Sequence, residues 1–177
     1  MSFLKLNRVL LFLLLPLFSL GQVNHKKAYQ LILQKDQVGK KYTFDKSQPK
    51  DYDRLELVYL GRIKTSRGRV LKIVTSRWYW GLAPRATSRI VVFNQDNQYL
   101  GDYYLTMTYE VPQKIEGSSL AFKIVTDTSR HLALITKISF KNGIPEKFFL
   151  PSEADGSGHI YVFAPNLDTM LRLTERL

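Results

Sequence analysis

Beyond its first two dozen residues the chain alternates apolar and polar positions with a period of two, the pattern of strands that bury one face. The alternating runs cover 54–65, 69–80, 88–94, 98–109, 119–127, 131–141, 144–150 and 158–164, each bounded by Gly, Pro, Asn or Ser. One segment departs from this period. Asn24 to Lys35 sets Ala28, Leu31, Ile32 and Lys35 at helical spacing with Asn24 near the start, which predicts a short amphipathic helix. From Tyr42 to Arg54 the polar, turn-prone run Thr43 to Asp53 predicts a loop leading into the sheet. The end of the chain, Asn166 to Thr174, reads in two ways. It suits a capped helix with Leu167, Met170, Leu171 and Thr174 on one side, or, preferred, a turn at 165–168 and a returning strand in which Leu171 and Leu173 alternate with Arg172 and Thr174.

Three turns place Gly or Asn where a three-residue hairpin loop needs a left-handed residue: Ser66-Arg67-Gly68, Gln95-Asp96-Asn97 and Lys141-Asn142-Gly143. The first predicts Thr65 opposite Arg69. The third predicts Phe140 opposite Ile144, Thr136 opposite Phe148 and Leu134 opposite Leu150, with Ser139 against Pro145; the missing N–H of Pro145 argues for an edge or a bulge. Glycines in Tyr59-Leu60-Gly61 and Tyr99-Leu100-Gly101 predict bulges or bends. Short strands, regular turns and no intervening helices give an all-β fold, an antiparallel meander of hairpins forming a sandwich or barrel.

Residues 1–21 have the form of a cleavable signal peptide: Lys5 and Arg8, an apolar stretch from Val9 to Leu20, and Ser19-Leu20-Gly21 before a cut at Gln22. A helix of roughly 12 residues rises about 18 Å against about 30 Å of bilayer, too short for a comfortable anchor. The expectation is an exported chain, periplasmic or extracellular, with no transmembrane segment after cleavage and one domain over 22–177. The absence of cysteine excludes disulfides and a lipoprotein anchor, so a hydrophobic core has to stabilise the fold. About 150 residues suffice for one. The formal net charge is +11, or +9 without Lys5 and Arg8, which favours anionic partners.

The cations concentrate between Arg62 and Arg89, a stretch with eight Lys and Arg, no acid, and Trp78-Tyr79-Trp80 within it. The hairpin register predicts one core face carrying Leu55, Leu57, Tyr59, Ile63, Leu71 and Ile73. The other face carries Glu56, Val58, Leu60, Arg62, Lys64, Val70, Lys72, Val74, Ser76, Trp78 and Trp80. The candidate ligand-binding residues are therefore Arg62, Lys64, Lys72, Trp78 and Trp80, because indoles stack on apolar rings while cations pair with phosphate, sulfate or carboxylate. The plain alternative is that both tryptophans pack under the loop Gly81-Leu82-Ala83-Pro84 or a second layer and the charges are solvated.

Catalytic signals are sparse. His25, His131 and His159 have no metal-ligand spacing, and Asp155-Gly156-Ser157-Gly158-His159 has the composition of a turn rather than the geometry of a triad. Asp51, Asp53 and Glu56 lack the spacing of a calcium loop. The sequence thus predicts a non-enzymatic binding or accessory protein of the cell envelope, without cofactor or metal, whose partner is an anionic glycan, a lipid headgroup or a protein; export argues against nucleic acid. The alternative is a barrel or deep sandwich carrying a small apolar ligand, with a hydrolase third.

Overall fold

The computed structural model describes residues 23–83, 85–127, 132–152 and 155–166. The expected signal peptide and residues 167–177, on which both readings of the chain end rest, lie outside them. The predicted helix forms as α1 (His25–Lys35). Asn24 caps it by accepting from the Lys27 N–H at 2.9 Å, and Asp36 closes it in the left-handed region. The buried stripe is Ala28, Ile32 and Leu33, whereas Leu31, predicted on it, is exposed.

Among the described residues ten strands follow in an antiparallel, mostly β fold. They are β1 (Lys41–Asp45), β2 (Tyr52–Lys64), β3 (Val70–Gly81), β4 (Arg85–Asn94), β5 (Tyr99–Leu105), β6 (Lys114–Glu116), β7 (Ser119–Asp127), β8 (Leu132–Ser139), β9 (Lys147–Pro151) and β10 (Gly158–Pro165). Seven make one sheet in the order β1-β2-β3-β4-β5-β10-β9, and β6-β7-β8 make a second. Strand β1 corrects the predicted loop: Tyr42 and Phe44 alternate with polar residues and pack against the core beneath α1, a pattern too short to stand out among Lys and Asp. Strand β6 was not predicted, β4 starts earlier, and β5 stops at Leu105 where 106–110 turn away.

The turns at Ser66-Arg67-Gly68 and Gln95-Asp96-Asn97 have the predicted geometry, with Thr65 bonded to Arg69 and Gly68 and Asn97 at positive φ. Both Tyr-Leu-Gly segments are bulges. Gly61 (φ 116°) and Gly101 (φ 148°) sit where the ladder slips by one residue, leaving Leu60 and Leu100 unpaired. That slip overturns the predicted faces. The register from Thr65 back to Gly61 is as expected, but beyond Leu60 it places Leu55, Leu57 and Tyr59 on the face of Val74, Ser76 and Trp78, and Glu56 and Val58 on the face of Leu71 and Ile73.

Two cores result, one on each side of the large sheet. Leu55, Leu57, Tyr59, Val74, Val91 and Phe93 are buried with the α1 residues; Ile63, Leu71, Ile73, Ile90, Val92 and Tyr103 pack against Leu120, Phe122 and Ile124 of the small sheet. The order is helix, sheet, sheet. The predicted hairpin across Lys141-Asn142-Gly143 is not formed. The turn exists, with Gly143 N–H bonded to the Phe140 carbonyl, but β8 stays with β7 while β9 pairs with β10, so Phe148 opposes Tyr161 and Leu150 opposes His159. Pro145 lies in this crossing between sheets, its carbonyl accepting from the Tyr103 hydroxyl, and β9 is indeed an edge strand.

Candidate functional site

The five residues singled out from the sequence share the α1 side of the large sheet, since Arg62 opposes Lys72, Lys64 opposes Val70, and Trp78 and Trp80 follow on β3 with the same parity. They do not form one platform. Lys72 and Trp78 are six residues apart on β3, about 20 Å, and α1 packs on the sheet over Leu57, Tyr59 and Val74. Arg62 donates from Nη2 to Asp36 Oδ2 at 2.5 Å and from Nε to the Tyr59 hydroxyl at 3.3 Å. Lys72 is buried and donates to Asn97 Oδ1 at 2.5 Å. Lys64 is exposed and, of the three, alone has no side-chain partner among the described residues. The tryptophans stack at 5.7 Å; Trp78 Nε1 donates to Asp53 Oδ1 at 2.9 Å, and Trp80 Nε1 to Thr87 Oγ1 at 3.2 Å.

What the fold builds instead is a cleft of about 980 Å³ between α1 and the floor of β3, β4 and β5. Alternation on β4 sends Thr87, Arg89, Val91 and Phe93 into it, Ser76 and Trp78 come from β3, Tyr99 and Asp102 from β5, and His25, Lys26 and Tyr29 from the helix. Trp78 meets His25 edge-on at 4.9 Å, and Phe93 meets Tyr29 and Tyr99 at 5.6 and 5.9 Å, so much of the wall is aromatic.

Arg89 is the cation that β4 contributes to this wall. Its Nη1 lies 2.9 Å from Asp102 Oδ2, which also accepts from the Tyr99 hydroxyl at 2.5 Å. Asp102 is buried, whereas the Arg89 side chain is partly open. Burial disfavours the guanidinium charge, yet Asp102 more than offsets this and holds Arg89 above its ordinary range. Burial, then the Asp102 charge and hydrogen bond, push Tyr99 far upward, and burial also raises Tyr29. His25 is lowered by burial, with Asp53 opposing and Arg89 adding to the effect, which favours its neutral form. The cleft therefore combines aromatic and phenolic groups with a fixed guanidinium–carboxylate pair, Arg89 with Asp102, and with Lys26 and Asp96 on its wall.

Arg89 was named within the basic run but not as a site residue, and Asp102, Tyr99 and Tyr29 were missed. A lone acid among Gly101, Tyr103 and Tyr104 was the available signal; the helix that roofs it was the missing piece. Asp155 and Ser157 form a turn, with Ser157 N–H donating to Asp155 Oδ1 at 2.8 Å, while His159 faces Glu110. Among the described residues no three His, Asp or Glu side chains are grouped to hold a metal, and no helix is long and apolar enough to cross a membrane. The chain matches no family model, no curated protein and no solved structure, so the cleft is read from its own chemistry.

Proposed function

We propose that this is a non-enzymatic binding protein of the cell envelope, exported by its N-terminal segment, that holds a small anionic ligand with an apolar ring face in the cleft between α1 and the sheet. A short anionic glycan has this chemistry. The observation that carries the reading is the placement of Arg89 beside Trp78 and the Tyr29–Phe93–Tyr99 wall. The volume lies at the upper end of the range for small-molecule sites. Sugar rings stack on indole and phenol faces, and a carboxylate or sulfate pairs with guanidinium. Binding through Arg62, Lys64 and Lys72 as one surface with the tryptophans is disfavoured, because Lys72 is buried and about 20 Å of strand, with α1 packed on this face, separates it from Trp78.

The test is the thermal unfolding midpoint of the exported protein with anionic glycans, acidic phospholipids and apolar ligands at low and high salt, since ligands of the native state raise it. A salt-sensitive rise with an anionic glycan, lost in Arg89→Gln but kept when Arg62, Lys64 and Lys72 are all Gln, is the expected result; the reverse pattern refutes it. A salt-insensitive rise with an apolar ligand alone supports the carrier reading of the same aromatic cleft.

A further inference from the structure

The ends of four strands meet at one edge of the large sheet: Tyr52 opposes Gly81, Trp80 opposes Arg85, and Ser88 opposes Leu105. Their connections expose large apolar side chains there. Leu82, at the tip of the β3–β4 hairpin, is 80% exposed, Tyr109 56%, Tyr52 43% and Met107 41%. The 106–110 turn is tied to this edge because Arg77 Nε donates to the Thr108 carbonyl at 2.8 Å. None of these residues lines the cleft.

Cations collar the cluster. The Arg85 guanidinium lies 5.5 Å from the Trp80 ring centre and that of Arg54 4.6 Å from Tyr79, so both are held beside the apolar residues by aromatic faces. The exposed carboxylates Asp45 and Asp51 belong to the β1–β2 connection, where Lys46 and Lys50 match them in number, and Arg54 lies 3.6 Å from the buried Glu56 carboxylate, leaving Arg77 and Arg85 in excess. The carboxylates of Asp53 and Glu110 are buried and hydrogen-bonded.

We infer that this edge docks on an anionic lipid bilayer, with Leu82, Met107, Tyr52 and Tyr109 entering the headgroup region and the arginines pairing with lipid phosphates. Protruding apolar side chains from separate turns, ringed by Arg and Tyr, suit an interface that is apolar below and anionic at its surface. A protein partner would need a contiguous patch or groove to pack against. The opposite edge is also basic, at Arg67, Arg69 and Lys141, but the turns at 66–68, 95–97 and 141–143 carry no large apolar residue and the α1–β1 connection exposes only Val38.

The test measures partition of the protein recovered from expression of the full chain onto vesicles of phosphatidylcholine, alone or mixed with phosphatidylglycerol. The expected result is partition onto mixed vesicles that weakens at high salt and falls roughly tenfold or more in Leu82→Asp, the factor that burial of one leucine supports. The unfolding midpoint of that variant stays unchanged, because Leu82 packs little. Absence of partition overturns the inference. So does equal partition of Leu82→Asp and the parent, or loss confined to Arg67→Gln with Arg69→Gln, which would place contact at the opposite edge.

Discussion

Glu110 is the place where one side-chain deletion has the most calculable consequence. It lies on the connection from the large sheet to the small one, and its side chain is fully buried. Oε2 accepts from the Met107 N–H at 3.0 Å and from the Tyr161 hydroxyl, and Oε1 lies 3.0 Å from His159 Nδ1. Tyr161 in turn accepts from the Thr106 N–H at 3.2 Å. The carboxylate thus ties the first turn after β5 to β10. Glu110→Leu keeps the bulk but orphans the buried Tyr161 hydroxyl and the part-buried Met107 N–H, whereas the partly open His159 regains water. At about 1–3 kcal/mol per orphaned group the loss is about 3 kcal/mol. For a domain of this size that lowers Tm by roughly 6–12 °C. Circular dichroism on heating measures it. His159→Gln, which removes only the partly exposed partner, should cost about 1 kcal/mol or less. A Glu110→Leu shift below about 2 °C, or equal losses in the two variants, would refute the argument that these two donors hold this connection.

Two further outcomes are expected. A Cβ at Gly101 would lie 2.3 Å from the Ala164 carbonyl oxygen and 2.5 Å from the Phe163 ring, on backbone that L side chains rarely adopt, so Gly101→Ala should lose more than about 2 kcal/mol; Gly68→Ala, with open space around it, should lose about 1–2 kcal/mol, and a near-parental Tm for Gly101→Ala would count against the bulge register. Burial, then the bond to Glu110, push the Tyr161 hydroxyl up to about 12, and burial raises Tyr29, Tyr59, Tyr99 and Tyr103 as well. Because the folded values exceed the unfolded value of about 10, their stabilisation is complete below pH 10 and is lost as pH rises towards 12. Absorbance titration of the phenolates should show late ionisation coincident with unfolding; ionisation of all ten tyrosines near pH 10 in a protein that stays folded would contradict it.

The period-two pattern, the Asn24 cap and the left-handed Gly68 and Asn97 determined the helix, two hairpins and the described strands other than β1 and β6, because each rests on interactions within a few residues of chain. The glycines of both Tyr-Leu-Gly segments announced the bulges too. Tertiary structure decided the rest. Which way the first half of β2 faced depended on the single-residue slip at Leu60, a local change that reverses every side chain of that strand beyond it. Whether β8 paired with β7 or β9 depended on competing partners distant in sequence, and the turn at Asn142 fits a hairpin and a crossing between sheets equally well. The cleft formed for the same reason. Arg89, Asp102, Tyr29 and Trp78 come from four elements, and a sequence records the parity of each on its own strand or helix but not the helix that closes over them.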